Sequence, residues 1–182
     1  MSSDYSLVDA RHPLLSTKLD VFDFDAPPID PVELSITLLA MMDDLNGLGL
    51  SANQLGLPYR AFVMRSEPPF VCFNPKIVWS SEETMVMEEG CLTFPLLYLK
   101  IRRPVSIRAR YQDQYGEVHT KQLEGISARC YQHELDHMDG ICYTAHASKL
   151  DLNRAKRRVS LLRRKLNKVR NDEHRNILRR TA

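Results

Sequence analysis

The segment His133-Glu134-Leu135-Asp136-His137 combines residue types and a spacing that suit metal chemistry. On an α-helix, residues four positions apart lie on one face, so His133 and His137 can present two imidazole nitrogens together. Glu134 lies beside them, where a carboxylate can accept the proton of a water held by the metal. Because a catalytic site of this kind uses three protein ligands, the chain must supply one more.

Four residues compete for the position of third ligand. The thiolate of Cys91 is a good ligand for such metals. Cys130 precedes His133 by three residues and lies on the same helical stripe. Metallopeptidases with the HExxH motif often take their last ligand from a later helix, where Asp151 and Glu173 are available. Residue spacing alone leaves these alternatives open.

The N-terminal region is predicted to contain an extended lead-in followed by a helix. Residues 5–30 are rich in Asp and Pro, which argues against a long helix there. The segment from Asp30 to Glu33 offers an N-cap, a proline at the first helical position and a capping-box glutamate. Apolar residues then recur at helical spacing, which predicts a core-facing helix over about residues 31–45.

Residues 61–123 contain runs with the composition and alternation that are typical of β-strands. Short β-prone runs occupy residues 61–64, 70–73 and 76–79, and the alternating residues 105–123 around a turn at 113–116 predict a hairpin. Strands followed by a helix indicate an α+β fold. We expect antiparallel β-sheets packed around a central helix that carries the HExxH motif, plus an N-terminal helix and a basic C-terminal helix.

Composition and charge suggest one catalytic domain with a basic appendage. The 182 residues are 43% hydrophobic, enough to bury a substantial core. Residues 148–182 hold 13 Lys/Arg and 3 Asp/Glu, whereas residues 1–147 hold 12 and 20. We therefore expect a catalytic domain over 1–147 and a basic amphipathic helix over 148–182. With no signal peptide or membrane span evident, a cytoplasmic monomer with reduced cysteines is expected.

The glycine-rich segment 47–56 contains one long polar side chain, that of Gln54. Taken alone, such a segment is most often a tight turn that leads into a strand. The alternative is a loop along a cleft, where Gln54 donates an amide hydrogen to a reacting carbonyl. A nucleotide site is not favoured, because the required glycine spacing and the Lys-Ser/Thr pair are absent.

Three blocks together resemble one family, the peptide deformylases, which remove the formyl group from the N-terminal methionine of new polypeptides. The blocks are GLGLSANQ at 47–54, EGCLT at 89–93 and HELDH at 133–137, in the family's order, and the resemblance spans about residues 10–147. Ser51 and Thr93 depart from the family's commonest choices, alanine and serine. Both are small, so the expected chemistry is unaffected. The segment 141–146 also departs from the family's usual residues, which affects the expected details at the edge of the substrate site.

The resemblance implies roles for the residues of these blocks. Cys91, His133 and His137 would bind the metal, and Glu134 would act as general acid and base. Gln54 and the backbone N–H of Leu92 would stabilise the oxyanion. A methionine pocket would be formed by Leu48, Gly49, Leu92, Cys130 and His133. Glu89 would pair with Arg103, or alternatively with Arg102, and so support the segment that presents Cys91.

The resemblance also implies a cofactor and a substrate. One divalent metal ion per chain is expected, Fe²⁺ in cells, with Zn²⁺, Ni²⁺ or Co²⁺ as alternatives. The substrates would be formyl-methionyl nascent polypeptides. Two other classes stay open: a zinc peptidase that cuts internal bonds, and a binding protein whose metal is structural. An intact Glu134 and Gln54 argue against a purely structural ion.

The C-terminal tail is predicted to be an amphipathic helix. Its apolar stripe comprises Leu152, Ala155, Val159, Leu162, Leu166 and Val169, and basic residues occupy the other faces. We expect the stripe to pack on the acidic domain. The excess charge suggests salt-dependent attachment to ribosomal RNA or another polyanion. An anionic membrane is less favoured, since the stripe lacks aromatic anchors.

Overall fold

The computed structural model describes residues 5–180, with side chains as far as residue 171. This part of the chain forms three α-helices and two antiparallel sheets. The elements in order are α1 (Pro31–Asp44), β1 (Gly49–Ser51), β2 (Ala61–Met64), β3 (Phe70–Ser80), β4 (Thr84–Cys91), β5 (Phe94–Pro104), β6 (Ser106–Gln112), β7 (Val118–Glu124), α2 (Gly125–Met138) and α3 (Lys149–Arg180). Short 3₁₀ turns lie at Pro13–Ser16, Ala52–Leu55 and Tyr143–His146.

The strands confirm the predicted α+β class. Five strands form one sheet in the order β1-β2-β3-β6-β7, and β6 and β7 form the predicted hairpin. The runs at 70–73 and 76–79, predicted as separate strands, are one strand with bulges against β6. The second sheet is the β4–β5 hairpin, in a region for which the sequence analysis assigned no individual strands.

Helix α1 confirms the prediction for residues 31–45 to within one residue. Asp30 accepts a hydrogen bond from the backbone N–H of Val32 at 2.9 Å, which satisfies one free donor of the first turn. Leu34 and Leu38 on its inner face are buried in a core cluster with residues of β1 and β2. The helix therefore covers the end of the sheet that holds the glycine-rich segment.

Helix α2 carries the HExxH motif and contacts strands of both sheets. Its first residue, Gly125, has a φ of +54°, a conformation that favours glycine. Ala128, Tyr131 and Met138 are completely buried in the core cluster under the large sheet. This packing fixes the rotation of α2, so that His133, Glu134 and His137 lie at the boundary between the two sheets.

Helix α3 packs on the domain along only part of its length. Leu152, Ala155 and Val159 belong to a core cluster with residues of β5 and Tyr143. Leu162, Leu166 and Val169 are 40%, 59% and 54% exposed. The expectation that the whole stripe packs on the domain is therefore wrong for its distal half, whose apolar side chains remain exposed. No helix in the described range is long and apolar enough to cross a membrane.

Candidate active site

The side chains predicted to bind a metal come from two elements that are distant in sequence. Cys91 ends β4, at the tight turn into β5, while His133 and His137 lie one turn apart on α2. Their ligand atoms all lie within 4.8 Å of one another, and Cys91 Sγ is 3.4 Å from His137 Nε2. The fold therefore brings one thiol and two imidazoles together in a cluster that could hold a metal ion.

The rival third ligands lie outside this cluster. The Cys130 thiol donates to the carbonyl oxygen of Leu48 at 3.4 Å. Asp151 lies on α3, and its carboxylate accepts one hydrogen bond from the hydroxyl of Ser148 at 2.6 Å. The side chain of Glu173 lies outside the described residues. Of the described candidates, only Cys91 is grouped with both histidines.

The orientation of the ligands fits a divalent ion. His133 Nδ1 is 3.0 Å from Glu89 Oε2, a contact that orients the ring and leaves Nε2 for the cluster. A set of one thiolate and two imidazoles, with a position left for water, suits catalytic metals such as zinc. Glu134 Oε2 is buried and has no hydrogen-bond partner in the described protein, as expected of a group whose natural partner is water or substrate.

The two histidines have opposite pKa shifts. Burial, followed by the positive charge of His133, lowers the pKa of His137 to about 3, so His137 is neutral at pH 7. Burial also disfavours the charged form of His133, but hydrogen bonds with Cys91 and Glu89 outweigh it and raise that pKa to about 10. In the metal-free protein these contacts favour the protonated form of His133, so a metal ion bound there would release that proton.

Glu134 lies beside the ligand cluster and is 3% exposed. Burial raises the pKa of its carboxyl group to about 7, against the opposing effects of the His133 charge and a hydrogen bond from Ser51. A carboxyl group with a pKa near neutrality can both accept and return a proton. Gly49 leaves it the necessary space, because a Cβ at that position would lie 2.5 Å from Glu134 Oε1.

Gln54 is held with its amide nitrogen toward the cluster. Its Oε1 accepts hydrogen bonds from the backbone N–H and the hydroxyl of Ser51, both at 3.0 Å. Its Nε2 donates to Thr93 Oγ1 at 3.0 Å and to Cys91 Sγ at 3.4 Å. Ser51 and Thr93 are the two departures noted in the sequence. Their hydroxyl groups both bond Gln54, which the sequence analysis did not anticipate.

Glu89 is the centre of a buried ion-pair network. Arg103 donates from Nε to Oε1 at 2.7 Å and from Nη2 to Oε2 at 3.0 Å. Arg102, the alternative partner, is exposed and donates to Thr84 Oγ1 instead. Burial raises the pKa of Glu89, but hydrogen bonds from His133 and Arg103 outweigh it, and the net pKa lies well below its ordinary value. Glu89 is therefore ionised at neutral pH.

Arg129 is a second arginine of this network and was missed in the sequence. Its side chain is buried, and Nη1 donates to Glu89 Oε1 at 2.8 Å. The same guanidinium donates to the carbonyl oxygens of Met85 in β4 and Ile101 in β5. Its position one helical turn before His133, on the face that carries the motif, is the only sequence signal that could have indicated it.

A cavity of about 430 Å³ opens beside these residues. All five residues predicted for the methionine pocket line it, namely Leu48, Gly49, Leu92, Cys130 and His133. Gln54, Cys91 and Glu134 line the same cavity. The cleft is thus of a size for a small apolar side chain and is continuous with the cluster of chemically active groups.

Three histidines outside the motif blocks have hydrogen-bond partners in the structure. His119 Nε2 is 2.7 Å from Asp113 Oδ2, and His146 Nε2 is 2.8 Å from Asp136 Oδ2. His12 Nδ1 accepts a hydrogen bond from the backbone of Leu14. The side chain of His174 lies outside the described residues. These pairs lie outside the ligand cluster and are local structural contacts.

An α+β frame that brings two histidines, a cysteine and a buried glutamate to one cleft defines a metal-dependent hydrolase. Residues 5–153 match the family model for polypeptide deformylase. The chain therefore belongs to the polypeptide deformylase family, enzymes that remove the formyl group from the N-terminus of nascent polypeptides.

Curated relatives and solved structures agree with this assignment. A peptide deformylase of Novosphingobium aromaticivorans is 38% identical over 68% of this chain and 79% of its own length. A peptide deformylase of Rhizobium meliloti is 37% identical over 80% of this chain and 84% of its own length. The structure is similar to that of the Thermotoga maritima peptide deformylase, with 33% sequence identity and a TM-score of 0.73. The match covers 79% of this chain and 97% of the Thermotoga chain. It is also similar to a Synechococcus elongatus peptide deformylase in complex with actinonin, with 30% sequence identity and a TM-score of 0.77. That match covers 85% of this chain and 86% of the Synechococcus chain.

Proposed function

We propose that this cleft hydrolyses the formyl amide of formyl-methionyl polypeptides, with Cys91, His133 and His137 as metal ligands and Glu134 as general acid and base. One observation carries the proposal: the three ligand atoms converge beside a buried carboxylate whose Oε2 has no hydrogen-bond partner in the described protein. A closed structural metal site requires neither such a carboxylate nor an adjoining cavity.

The reaction divides between the metal and the protein's own groups. Cys91, His133 and His137 would hold a divalent ion, which when bound would supply Lewis acidity to the formyl carbonyl and to water. Glu134 accepts the proton of the attacking water at its carboxylate and returns it to the departing amine. The C–N bond of the formyl amide breaks, and formate and a free N-terminal methionine are released.

Two donors serve the oxygen that becomes negative during this reaction. In this proposal Gln54 turns its Nε2 hydrogen from Thr93 to the formyl oxygen, and the backbone N–H of Leu92 donates beside it. The two hydrogen bonds that Ser51 makes to Gln54 Oε1 support this role, because they fix which end of the amide faces the cleft. The loss of one such donor commonly costs about 3 to 4 kcal/mol of transition-state stabilisation.

The narrowness of the cleft accounts for the preference for a formyl group. Gly49 lies against Glu134 and Cys130 so closely that even a Cβ would overlap them. In this proposal that tight wall lets a carbonyl carbon that bears only hydrogen lie beside the Glu134 carboxylate, whereas a carbonyl carbon that bears a peptide chain requires more space. The methionine side chain would occupy the cavity beside Leu48, Leu92 and Cys130.

We further propose that the metal in cells is Fe²⁺, although the ligand set also suits Zn²⁺, Ni²⁺ and Co²⁺. Metal content should be measured after anaerobic purification, together with formate release from a formyl-Met-Ala-Ser peptide. Stoichiometric metal and formate release without internal cleavage are expected. Cleavage of internal bonds instead would favour the zinc peptidase, and no turnover of either kind would favour a binding protein.

The domain organisation of the proposal is a catalytic unit over 1–147 and a basic helix over 148–182. We take α2 to be the central helix of the catalytic unit. Its contacts with strands of both sheets support this assignment. The enzyme would work in the cytoplasm as a monomer, where nascent chains emerge from the ribosome. The helix α3 would attach to ribosomal RNA through its basic faces, in a manner that weakens with salt.

Ribosome attachment can be tested by co-sedimentation. The intact protein should sediment with ribosomes at low salt and less at high salt, because counterion release dominates such binding. A chain that ends after Ser160 keeps the packed residues Leu152, Ala155 and Val159 but loses most of the basic surface. Equal sedimentation of the two proteins would contradict the attachment.

A further inference from the structure

A second cavity, of about 420 Å³, lies between α3 and the tip of the β4–β5 hairpin, with Ala10 of the N-terminal segment also in its lining. We call it the α3 groove, defined by Phe94, Pro95 and Leu97 on one side and by Lys156, Val159, Arg163 and Arg164 on the other. Ser160 and Asn167 add polar groups to the helix side. The groove therefore has an apolar wall along the hairpin and a polar, cationic wall along the helix.

The charge of the α3 groove is uniformly positive. Lys156, Arg163 and Arg164 are exposed, and none of them forms an ion pair with a described side chain. The described lining includes no Asp or Glu. Three unpaired cations around one concavity attract an anionic group more strongly than the same charges would when spread over a convex surface.

The α3 groove adjoins the active-site cleft. Phe94, Pro95 and Leu97 line both cavities, so the two lie on either side of one hairpin tip. Stacked β-layers lie roughly 10 Å apart, and we take this spacing as the order of the path around the hairpin tip, which an extended peptide covers at about 3.3 Å per residue. A peptide whose methionine lies in the cleft reaches the groove about three residues later.

We propose that the α3 groove binds acidic side chains of the nascent polypeptide, at about the fourth to sixth positions after the formylated end. This inference rests on the proposed deformylase function and adds a preference among its substrates. The carboxylates pair with Lys156, Arg163 and Arg164, while the adjacent peptide lies against Phe94 and Leu97. RNA phosphate could satisfy the cations but makes no use of the apolar wall, and a peptide segment uses both walls.

The preference should appear in KM more than in kcat. Contacts in the α3 groove are made equally in the ground state and the transition state, because the groove does not touch the reacting atoms. Two weak surface ion pairs predict a preference in kcat/KM of about 3- to 10-fold. Since exposed charges are screened by salt, the preference should diminish at high ionic strength.

Matched peptides test the proposal. Formate release is measured for formyl-Met-Ala-Ser-Glu-Glu-Ala and for the same peptide with Gln-Gln in place of Glu-Glu, at low and high salt. The triple variant Lys156→Gln/Arg163→Gln/Arg164→Gln should bring the ratio of the two kcat/KM values to about 1. The charge-matched control Arg157→Gln/Arg158→Gln/Lys165→Gln, whose residues lie outside the groove, should keep the ratio.

The outcomes separate this inference from the proposed function. If formyl-Met-Ala-Ser is not hydrolysed, the deformylase proposal itself fails. If all peptides are hydrolysed but the wild-type protein shows no acidic preference, only the groove proposal is overturned. An equal preference in both triple variants also overturns it. Binding of a short oligouridylate that is lost only in the groove variant, without any peptide preference, would assign the groove to RNA and overturn the peptide proposal.

Discussion

Arg129 donates a 2.8 Å hydrogen bond to Glu89, although the two residues lie on different elements 40 positions apart. The same Glu89 contacts His133 through its other oxygen. Arg129 also bonds backbone carbonyls of both β4 and β5. The guanidinium thus joins α2 to both strands of the hairpin that presents Cys91.

Replacing Arg129 should weaken metal binding without removing a ligand. In Arg129→Met, Glu89 loses one donor and the hairpin loses two bonds to α2, so we expect metal affinity to fall about 10- to 100-fold. Affinity can be measured by competition with a chelator. Arg102→Met is the control, since Arg102 is exposed and, among the described residues, its side chain bonds only Thr84. Wild-type affinity in Arg129→Met would contradict the positioning role.

Removal of any proposed ligand should abolish both metal binding and activity. Cys91→Ser, His133→Ala and His137→Ala each leave two ligands, too few to retain a catalytic ion at ordinary concentrations. Cys130→Ala is the control and should keep the metal and most of the catalysis. Metal content and formate release measure the two effects. Metal loss in Cys130→Ala with retention in Cys91→Ser would show that the ligand set is wrong.

Replacing Glu134 should separate metal binding from chemistry. Glu134→Gln has nearly the same shape but cannot accept a proton, so kcat should fall by about 10²- to 10⁴-fold while the metal stays bound. Metal content, substrate binding and single-turnover rates are the measurements. An active Glu134→Gln protein would remove the proposed acid and base.

A methyl group at Gly49 should disturb Glu134 directly. The added Cβ would lie 2.5 Å from Glu134 Oε1 and 2.9 Å from Cys130 Sγ, so the carboxylate must shift. We expect Gly49→Ala to keep its metal and to lose at least about 10-fold in kcat, as misplaced catalytic groups commonly do. Gly49→Ala combined with Glu134→Gln should be no slower than Glu134→Gln alone. A further large loss in the double variant would show that the methyl group acts elsewhere.

The turn of the β6–β7 hairpin should contribute stability that depends on pH. Burial raises the pKa of Asp113, but hydrogen bonds from His119, Tyr115 and Glu117 outweigh it and lower the pKa below its ordinary value of 3.8. The stability that ionised Asp113 contributes to the folded state is therefore fully present above about pH 4. It is lost as the pH falls through the native pKa of Asp113.

Asp113→Asn isolates this effect because the amide cannot titrate. At pH 7 the variant should have a free energy of unfolding lower by about 1 kcal/mol, and the difference should shrink in acid. Urea unfolding at several pH values measures it. Asp43→Asn, at an exposed pair with Arg65, is the control. A difference between wild type and Asp113→Asn that grows on acidification would contradict the assignment.

The sequence was sufficient for elements whose evidence is local. Helix α1 has its own cap and periodicity, and the β6–β7 hairpin has its own turn residues. The pairing of Glu89 with Arg103 and the grouping of Cys91 with the histidines followed from ordered motif blocks. Arg129 could not be found in this way, because its partners are carbonyls and a carboxylate that only tertiary packing brings near.

Two further features depend on information that a single sequence does not contain. The Ser51–Gln54 bonds span only three residues and form a local capping box, but the Thr93 hydroxyl reaches Gln54 only after the β4–β5 hairpin meets this segment. The stripe on α3 has regular apolar spacing over its full length, but this spacing does not predict how far along α3 the surface of the domain extends. That surface ends near Val159, and the later apolar residues are exposed.

The division of charge between the catalytic part and α3 gives the molecule a permanent electric dipole. Residues 1–147 carry an excess of acidic groups, whereas the helix that follows carries an excess of basic ones. Beyond Val159 the helix continues to Arg180, and a helix of that length spans about 30 Å. In the field of a polyanion such a dipole experiences a torque before any contact forms. The protein would approach helix first, with its acidic catalytic part directed away from the charged surface.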